Sequence, residues 1–540
     1  MNTLFRYLFL LNLAITIFSV NAFSQISENY RLYPSSVTQT EVFVTRHPTN
    51  SQLLFASANS ITFAPFFISE GVYVSTNGGD SWFGSDTCNG EPIVFHGGDP
   101  GIAIDKNGTF ILTRLGTPPF SGVYAHYSTD NGASWSNQIT ITTDDIERAA
   151  IATDASPESP FYGRTYAVFV KFASPFAVHI SHTDDGGTSW STPLRINNPV
   201  NAGRGADITI GKDGTVYVCW AGVTNTSPFA EILAGFAKSS NGGQNWTVQE
   251  SAFEMSGIQG QLAQKANIRV NGLPRIEIDK SGGARDGWVY IITTEKGRLP
   301  AGSDPDVILR RSGDGGQTWS AGIRVNQDAL NNGKIQYFPA LHVDGDGGLN
   351  AIFYDDRTTT SDSTGVFLAR STDGGDSWAE IEVSDHNFKP VPIGGLGAGY
   401  QGDNIDIISS DGQLLPMWMD NSSGTYQIWT AKVAIDAVGI ETGETAVPSG
   451  ISLDQNYPNP FNPQTNIRYR IAEHSFVKLS IYNILGDLVK SLVSETQAPG
   501  EKVILWDGTN QSGAAVASGF YFYKLSAGDV QQTRRMLLIR

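Results

Sequence analysis

The stretch STDGGDSW, Ser371–Trp378, decides the fold of this chain. Its adjacent glycines supply backbone angles that other residues resist. The side chains of Ser371 and Asp373 can accept hydrogen bonds from backbone N–H groups inside a tight turn. Trp378 then offers a large apolar surface for burial. The stretch therefore predicts a tight turn with a buried aromatic side chain attached to it.

Five further copies of the pattern S/T-x-D/N-x-G-x-x-W lie along the chain. The six copies start 53, 55, 56, 73 and 59 residues apart. This spacing indicates a repeat architecture. The residues that carry the six copies are Ser75, Asn77, Gly79, Trp82, Ser128, Asp130, Gly132, Trp135, Thr183, Asp185, Gly187, Trp190, Ser239, Asn241, Gly243, Trp246, Ser312, Asp314, Gly316, Trp319, Ser371, Asp373, Gly375 and Trp378. Each of them is assigned a structural role.

Short alternating segments between the turns predict four β-strands in each repeat unit. A unit before the first turn, Glu41–Ser60, and a last unit, Asp406–Val433, bring the number to seven. The last unit lacks a fourth strand. The segment ENYRLYPSS near the N-terminus resembles that missing strand, so we expect it to close the ring. Seven units over residues 25–436 give about 59 residues each, and six blades are the alternative if the first unit is irregular.

The turn pattern resembles the Asp-box, or bacterial neuraminidase repeat, of the sialidase-like propeller superfamily. The resemblance covers roughly residues 40–433. It implies an all-β, seven-bladed propeller whose repeated turns lie on the outer edges of the blades. Such propellers include sialidases, xyloglucan-active hydrolases, sorting receptors and photosystem assembly factors, so the resemblance predicts the fold rather than the activity.

The two ends of the chain indicate export. Residues 1–24 contain Arg6, the apolar run Leu8–Val20 and a small-x-small sequence before Gln25, a pattern typical of a cleaved signal peptide. No later stretch is long and apolar enough to span a bilayer. Residues 437–450 are small, polar and acidic, as in a linker. Residues 451–540 return to alternating strands and predict a small immunoglobulin-like β-sandwich.

This last segment resembles the type A C-terminal sorting domain of type IX secretion. The residues that carry the resemblance are Asn456–Pro463, Ile481-Tyr482-Asn483, Leu485-Gly486, Trp506-Asp507-Gly508, Ser518–Tyr521 and the basic–apolar tail Arg534–Arg540. The resemblance implies a partnership with the type IX machinery. It also implies a location on the outer-membrane surface or outside the cell.

The composition limits the partners of the protein. A formal net charge of −17 argues against nucleic acid, because nothing would compensate the phosphate repulsion. No cofactor is expected from the motifs. The acidic string Val343–Gly348 leaves structural calcium as an alternative to a plain Asp-Gly turn.

Loops at one mouth of a propeller converge on its channel, which is the default binding site. The residues at the entries of the innermost strands are His96, Asp99, Glu147, Arg148, Arg204, Asp207, Arg275, Tyr337, Tyr400 and Asp403. The loops after the second strands add Glu295, Asp355, Asp356, Arg357 and Asp420. Arginine, carboxylate and tyrosine therefore recur at equivalent positions.

The resemblance to sialidases implies a three-arginine clamp, an acid and a tyrosine nucleophile. Arg148, Arg204 and Arg275 are the candidates for the clamp, Tyr400 or Tyr337 for the nucleophile, and Asp99 or Asp207 for the acid. The Phe-Arg-Ile-Pro string of those enzymes is absent, and unit one has TRHPTN instead. A glycosidase with two facing carboxylates, Glu147 with Asp355 or Asp403, is a related hypothesis.

The sequence thus favours an exported propeller that recognises glycans or surface polymers without catalysis. Two alternatives stay open. One is an exo-acting glycoside hydrolase of sialidase-like type. The other is a protein-binding scaffold, since propeller faces often serve as docking platforms.

Overall fold

The structure is a computed structural model that divides into two compact units, Met1–Ile440 and Glu441–Arg540. It describes residues 26–88, 96–397, 399–438 and, within 451–539, all but 454–455, 457–458, 460, 472–473, 485, 499 and 528–529. The predicted signal peptide, most of the predicted linker, and Tyr457, Pro458, Pro460, Leu485 and Arg540 of the sorting-domain strings lie outside the described residues.

The described part of the first unit contains six antiparallel sheets of four strands, a seventh of five strands and a two-stranded hairpin. After β1 (Tyr30–Arg31), sheet 1 contains β2 (Thr38–His47), β3 (Asn50–Phe63), β4 (Phe66–Ser75) and β5 (Phe83–Ser85). Sheet 2 contains β6 (Gly101–Ile104), β7 (Phe110–Gly116), β8 (Gly122–Ser128) and β9 (Ile139–Thr142). Sheet 3 contains β10 (Ala150–Thr153), β11 (Thr165–Val170), β12 (Val178–Thr183) and β13 (Leu194–Arg195).

Sheet 4 contains β14 (Ala202–Ile210), β15 (Val216–Val223), β16 (Glu231–Ser239) and β17 (Thr247–Glu254). An inserted hairpin follows, with β18 (Gly260–Leu262), a 3₁₀ turn (Ala263–Lys265) and β19 (Ile268–Val270). Sheet 5 contains β20 (Arg275–Ile278), β21 (Val289–Glu295), β22 (Asp306–Ser312) and β23 (Ile323–Arg324). Sheet 6 contains β24 (Gln336–Val343), β25 (Leu349–Asp355), β26 (Gly365–Ser371) and β27 (Ala379–Glu382).

Sheet 7 joins the two ends of the repeat region. It contains β28 (Asp406–Ser410), β29 (Gln413–Asp420) and β30 (Gln427–Thr430), with β31 (Val433–Ala434) also paired to β29. Its outermost strand is β1, in which Tyr30 pairs with Thr430 and Arg31 with Trp429. The closing strand predicted from the sequence therefore occupies the expected place. A second 3₁₀ turn, Ile435–Val438, ends the described part of this unit.

The first strands of the seven sheets contact one another in chain order, and β28 of sheet 7 contacts β2 of sheet 1. The sheets thus form a closed ring around a central channel, which is the arrangement of a β-propeller. Consecutive strands within a sheet are antiparallel, so all the first strands enter the channel wall at the same mouth. We call this mouth the entry mouth and the other the exit mouth.

The repeated turns join the third and fourth strands at the exit side of the sheets. In Ser371–Trp378 the hydroxyl of Ser371 donates to Asp373 at 2.8 Å, and the N–H of Gly375 donates to Ser371 at 2.7 Å. The N–H of Ser377 donates to the same Asp373 carboxylate at 3.0 Å. All six copies make these three bonds. The acceptor oxygen is what matters, since Asn serves as well as Asp in two of the copies.

Each repeated turn also packs against the preceding sheet. The turn glycine Gly375 has a φ of 98°, and a Cβ there would lie 2.6 Å from a methyl carbon of Leu309 in sheet 5. The glycine of the first turn, Gly79, approaches Leu415 of sheet 7 in the same way. Trp135 follows the pattern, with its ring centre 5.6 Å from that of Phe55 in sheet 1. The turn is therefore a connector between neighbouring sheets.

The second unit contains two sheets. A three-stranded sheet holds β32 (Ile451–Leu453), β33 (Thr465–Ile471) and β36 (Gly500–Trp506). A four-stranded sheet holds β34 (Ser475–Tyr482), β35 (Leu488–Gln497), β37 (Gly519–Ala527) and β38 (Val530–Leu538). Tyr469, Trp506 and Tyr523 are buried in its core. Across the described residues, no helix is long and apolar enough to cross a membrane.

Candidate functional site

A cavity of about 460 Å³ opens at the entry mouth, where the first strands begin. We call it the entry cavity. Seven of the ten strand-entry candidates from the sequence line it, namely Asp99, Glu147, Arg148, Arg204, Arg275, Tyr400 and Asp403. Asp207, Tyr337 and His96 do not. Asp207 lies with Arg148 and Arg275 in the wall of a second cavity towards the exit mouth, which we call the exit cavity.

Irregular backbone at the strand entries turns side chains towards the channel. Glu41 in β2, Gly205 in β14 and Phe338 in β24 have φ values of 57°, 57° and 50°, and strand pairing shifts register at each of them. Asp99, just before β6, has a φ of 55°. Such bulges re-aim side chains and often lie beside functional sites. Four of the seven strand entries thus contain a residue with left-handed backbone, and three of these lie at a bulge.

Arg148 is the cation of this cavity that lacks a partner. Within the part of the chain that the structure describes, no carboxylate lies within 4.0 Å of its guanidinium. Its guanidinium carbon lies 4.7 Å from the ring centre of Phe43. Burial lowers the pKa of Arg148, and the nearby charge of Arg275 acts in the same direction. The charges of Asp207, Asp99 and Glu41 oppose this lowering, and the carboxylate of a bound ligand would act in the same direction as theirs.

The other arginines of the cavity are engaged. Arg275 donates to Asp207 at 3.1 Å, and the backbone N–H of Ile276 donates to the same oxygen. Arg204 has its guanidinium carbon 4.7 Å from the ring centre of Phe172 and lies 3.9 Å from Glu147. The three arginines predicted as a clamp therefore line one cavity. They differ in whether a carboxylate of the protein already lies near the guanidinium group.

Arg269 and Asn271 come from the inserted hairpin and its end, and the sequence did not identify them. Arg269 donates to both oxygens of Asp403, at 2.9 and 3.1 Å, and Asn271 donates to one of them at 2.9 Å. The guanidinium carbon of Arg269 also lies 5.3 Å from the ring centre of Tyr400. The 73-residue gap between the fourth and fifth turns was the signal for this insertion. It left open where the insertion would reach.

The hydroxyl of Tyr400 is held beside two carboxyl groups. It accepts a hydrogen bond from Asn59 at 3.0 Å and lies 3.1 Å from the hydroxyl of Thr40. Burial raises its pKa well above 10, with the charges of Glu41 and Asp99 acting in the same direction. Tyr400 as it stands is therefore a protonated hydrogen-bond donor and acceptor.

Glu41 and Asp99 have different proton affinities. Burial raises the pKa of Glu41 to about 8, with Asp99 and Asp403 acting in the same direction. Burial raises the pKa of Asp99 to about 6, and the charge of Arg148 opposes that rise. Glu41 was missed because it sits in the alternating run TQTEVFVTRH, where its bulge cannot be read from the pattern.

Glu231 forms a third buried carboxyl group in the lining. It accepts hydrogen bonds from the backbone N–H of Gly272, at 2.9 and 2.8 Å, and of Gln259 at 3.3 Å. Burial raises its pKa to about 7. Its contacts tie both ends of the inserted hairpin to sheet 4, so we assign it a structural role.

The exit cavity, of about 630 Å³, is the larger of the two. Burial raises the pKa of Glu277 to about 7 and that of Asp406 to about 6, and lowers that of His342 to about 3. Arg46 donates to the carbonyl of Ser409 at 2.7 Å. Arg148 and Arg275 line this cavity as well, so only residues that line one cavity alone, such as Arg46 here and Arg204 at the entry mouth, can distinguish the two cavities.

Several candidates from the sequence lie outside the entry cavity. Tyr337 is fully buried against Tyr354, because the bulge beside it turns its side chain into the core. His96 pairs with Glu70 in a buried contact. Tyr337 is therefore not available as a nucleophile.

The carboxylates after the second strands are used in structural ion pairs. Their partners are Arg310 for Glu295, Arg357 for Asp355, Lys265 for Asp356 and His386 for Asp420. Arg357 is also bound to Glu380. The predicted pair of Glu147 with Asp355 is thus wrong, since Asp355 does not line the cavity, whereas Glu147 and Asp403 both do.

The acidic string Val343–Gly348 forms a turn around Asp344. The Asp344 carboxylate pairs with Arg370, and it accepts hydrogen bonds from Asn350 and from the N–H groups of Asp346 and Gly348. Its oxygens are therefore engaged by the protein. Among the described residues, no group of three or more His, Cys, Asp or Glu side chains is arranged to hold a metal ion.

Comparison with known proteins identifies one family within the chain. The model of the FlgD Ig-like domain matches residues 464–530, in the second unit. This match agrees with the immunoglobulin-like domain expected from the sequence. No curated protein matches the chain significantly.

Solved structures similar to this chain have low sequence identity to it. An ulvan lyase of polysaccharide lyase family 25 has a TM-score of 0.47 and 11% identity, over 74% of this chain and 95% of that chain. A protein of unknown function from Dyadobacter fermentans has a TM-score of 0.42 and 13% identity, over 75% and 97%. A Hadza microbial sialidase has a TM-score of 0.39 and 13% identity, over 73% and 75%.

Proposed function

We propose that the protein is an exported, seven-bladed propeller that binds an acidic saccharide in the entry cavity. The observation that carries this proposal is Arg148, an arginine in a cavity of about 460 Å³ with no carboxylate partner among the described residues. Guanidinium groups bind carboxylates through two parallel hydrogen bonds. The volume is within the usual range of small-ligand pockets. In this proposal each of the seven sheets that form the ring is one blade.

The surrounding groups suit a sugar acid better than a plain anion. Glu147, Asp403 and Tyr400 line the same cavity and can accept or donate hydrogen bonds to hydroxyl groups. Phe172 and Phe229 add apolar faces next to Arg204. A ligand with one carboxylate and several hydroxyl groups would use all of these contacts.

The test is the binding of defined acidic saccharides by the full chain. Galacturonate dimer, sialyllactose and neutral cellobiose would be titrated calorimetrically into wild type and Arg148→Ala. We expect an acidic saccharide to bind and the substitution to weaken it about tenfold or more, because a charge-assisted contact is lost. Arg195→Ala, on the outermost strand β13 of sheet 3, is the matched control. Equal binding of neutral and acidic sugars, or no effect of Arg148→Ala, would overturn the proposal.

A second candidate function is cleavage of the bound saccharide. It is favoured by the split between Glu41, with a pKa of about 8, and Asp99, with a pKa of about 6, beside Tyr400. The charge of Asp99 raises the pKa of Glu41, so the two groups can share one proton. One can then donate a proton and the other accept one, which is how paired carboxyl groups divide acid and base roles.

Turnover of fluorogenic glycosides and of polygalacturonate would test the cleavage proposal. Glu41→Gln and Tyr400→Phe should lower kcat by about a hundredfold or more, the usual range for lost acid–base catalysis. Tyr337→Phe is the matched control, because that hydroxyl is buried outside the cavity and has no hydrogen-bond partner among the described residues. Binding without any turnover would leave the protein a lectin-like receptor and remove this candidate.

We further propose that the chain is a cargo of type IX secretion. The match of residues 464–530 to the FlgD Ig-like domain and the strings quoted above support this assignment. The proposal places the mature protein on the outer-membrane surface or outside the cell. Deletion of residues 451–540 should then retain the propeller inside the cell envelope, measured by fractionation. Unchanged export of the truncated chain would contradict it.

A further inference from the structure

The connections between second and third strands carry a repeated dipeptide at the entry mouth. Pro-Phe occurs in four successive sheets, as Pro65-Phe66, Pro119-Phe120, Pro175-Phe176 and Pro228-Phe229. Antiparallel pairing places these connections on the same side as the strand entries. Four neighbouring loops therefore present a phenylalanine on the face that carries the entry cavity.

The last of these rings belongs to the cavity wall. Phe229 and Phe172 both line the entry cavity. The guanidinium carbon of Arg204 lies 4.7 Å from the ring centre of Phe172 and 5.8 Å from that of Phe229. The series thus has one ring in the cavity wall, and the other three lie on the corresponding loops of sheets 3, 2 and 1.

The tip rings are exposed rather than packed into the core. Phe66 is 57% exposed, Phe120 47% and Phe229 41%, whereas Phe176 is half-buried. Phe63 adds a second exposed ring, 6.3 Å from that of Phe66, at the end of the long β3–β4 hairpin. Single exposed rings are common on protein surfaces, but here the same Pro-Phe pair recurs at one loop position in four neighbouring sheets.

The surroundings of these rings indicate the kind of ligand. Each ring stands on its own loop among polar residues such as Ser121, Thr224 and Asn225, so the surface is not one continuous apolar patch. A sugar chain suits this arrangement, because each ring can pack against one sugar face while the neighbouring polar groups meet its hydroxyls. The inserted hairpin borders the cavity on the side of Asp403.

We propose that these phenylalanines form an extended binding surface for a polymeric acidic saccharide, one end or an internal unit of which occupies the entry cavity. The inference rests on the proposed function and deepens it from a sugar acid to a polymer. It places the units held by Arg148 in the cavity and the following units on Phe229, Phe120 and Phe66.

The test is the dependence of affinity on chain length. Oligogalacturonates from dimer to octamer would be titrated into the full chain, wild type and Phe63→Ala with Phe66→Ala, two exposed rings that do not line the entry cavity. We expect affinity to rise with length in wild type. The double variant should lose about threefold to tenfold for the octamer and little for the dimer. Phe83→Ala, an equally exposed ring on the outermost strand β5, is the matched control.

The outcomes separate the two proposals. Binding of the dimer with no gain for the octamer, or an equal loss in Phe83→Ala, overturns the extended surface and leaves the proposed function intact. No binding of any uronate removes both. Phe66-dependent sedimentation with phosphatidylcholine vesicles, without any length dependence, would show a membrane-facing surface and also overturn the inference.

Discussion

The exit and entry sides of the sheets follow opposite rules. On the exit side, six turns repeat the same three hydrogen bonds and the same contact with the preceding sheet. On the entry side, the strands begin with different residues, such as Glu41, Asp99 and Arg148, and four have irregular backbone. The turns on the exit side connect neighbouring sheets and so stabilise the ring. The entry side is therefore free to vary and carries the candidate site.

The inserted hairpin shows how far the entry side has diverged. It lies between sheets 4 and 5, and Lys265 at the end of its 3₁₀ turn is fully buried. Lys265 donates to Asp356 at 2.9 Å and to the carbonyls of Ser361 and Ser363 at 3.1 and 2.8 Å. These contacts fasten the hairpin to the loop after β25 of sheet 6.

The largest effect is expected from breaking that anchor. Lys265→Ala leaves the buried Asp356 carboxylate without its cation, which typically costs about 3–5 kcal/mol. The free energy of unfolding would be measured in urea, and saccharide binding should weaken as well because Arg269 is displaced. Lys389→Ala removes an exposed ion pair with Asp362 and should change neither quantity. A Lys265 variant as stable as wild type would show that the hairpin is not anchored here.

A smaller effect is expected on the exit side from Gly375→Ala. The left-handed backbone costs about 1–2 kcal/mol for a residue with a Cβ, and the contact with Leu309 adds an overpacking penalty of about 1–3 kcal/mol. Gly412→Ala is the matched control, since it has a φ of 73° but open space around its Cβ position. Equal losses of unfolding free energy in the two variants would contradict the connector role of the turn.

The third effect is measured as a slope with pH rather than as a loss at one pH, and it is expected at the entry side. The folded-state pKa of Glu41 is about 8, against about 4.3 when unfolded. The folded protein thus binds this proton more tightly, so its stability should fall as pH rises through this interval. Glu41→Gln should remove that part of the slope in urea unfolding at a series of pH values. Exposed Glu158→Gln is the control, and identical slopes in wild type and Glu41→Gln would refute the assignment.

The sequence predicted the repeated side well because its physics is local. The turn oxygens, the left-handed glycine and the tryptophan all lie within eight residues, so one copy predicts the others. The closing strand followed from counting, since the last unit lacked a fourth strand and ENYRLYPSS supplied one. The entries that contain Arg148, Arg204 and Arg275 followed from the same count.

The rest of the site depends on bulges and on an insertion, which the alternation of polar and apolar residues in a strand does not reveal. The bulge at Glu41 directs a carboxyl group into the cavity, and the bulge after Tyr337 removes a tyrosine from it. Arg269 arrives from an insertion whose destination is set by the distant Lys265 anchor. Asp355 follows a second strand and was therefore predicted to face the site. Instead its carboxylate accepts a hydrogen bond from Arg357, two residues later.

The central claim is that the entry cavity, through Arg148, is the site that holds an acidic saccharide. The direct measurement is the affinity for galacturonate dimer of Arg148→Ala, which lines both cavities, and of Arg46→Ala, which lines the exit cavity alone. Arg204→Ala, in the entry cavity alone, should weaken binding as Arg148→Ala does. We predict that Arg148→Ala weakens binding about tenfold or more and that Arg46→Ala leaves it unchanged. Loss of binding in Arg46→Ala with full binding in Arg148→Ala would contradict the claim and move the site to the exit mouth.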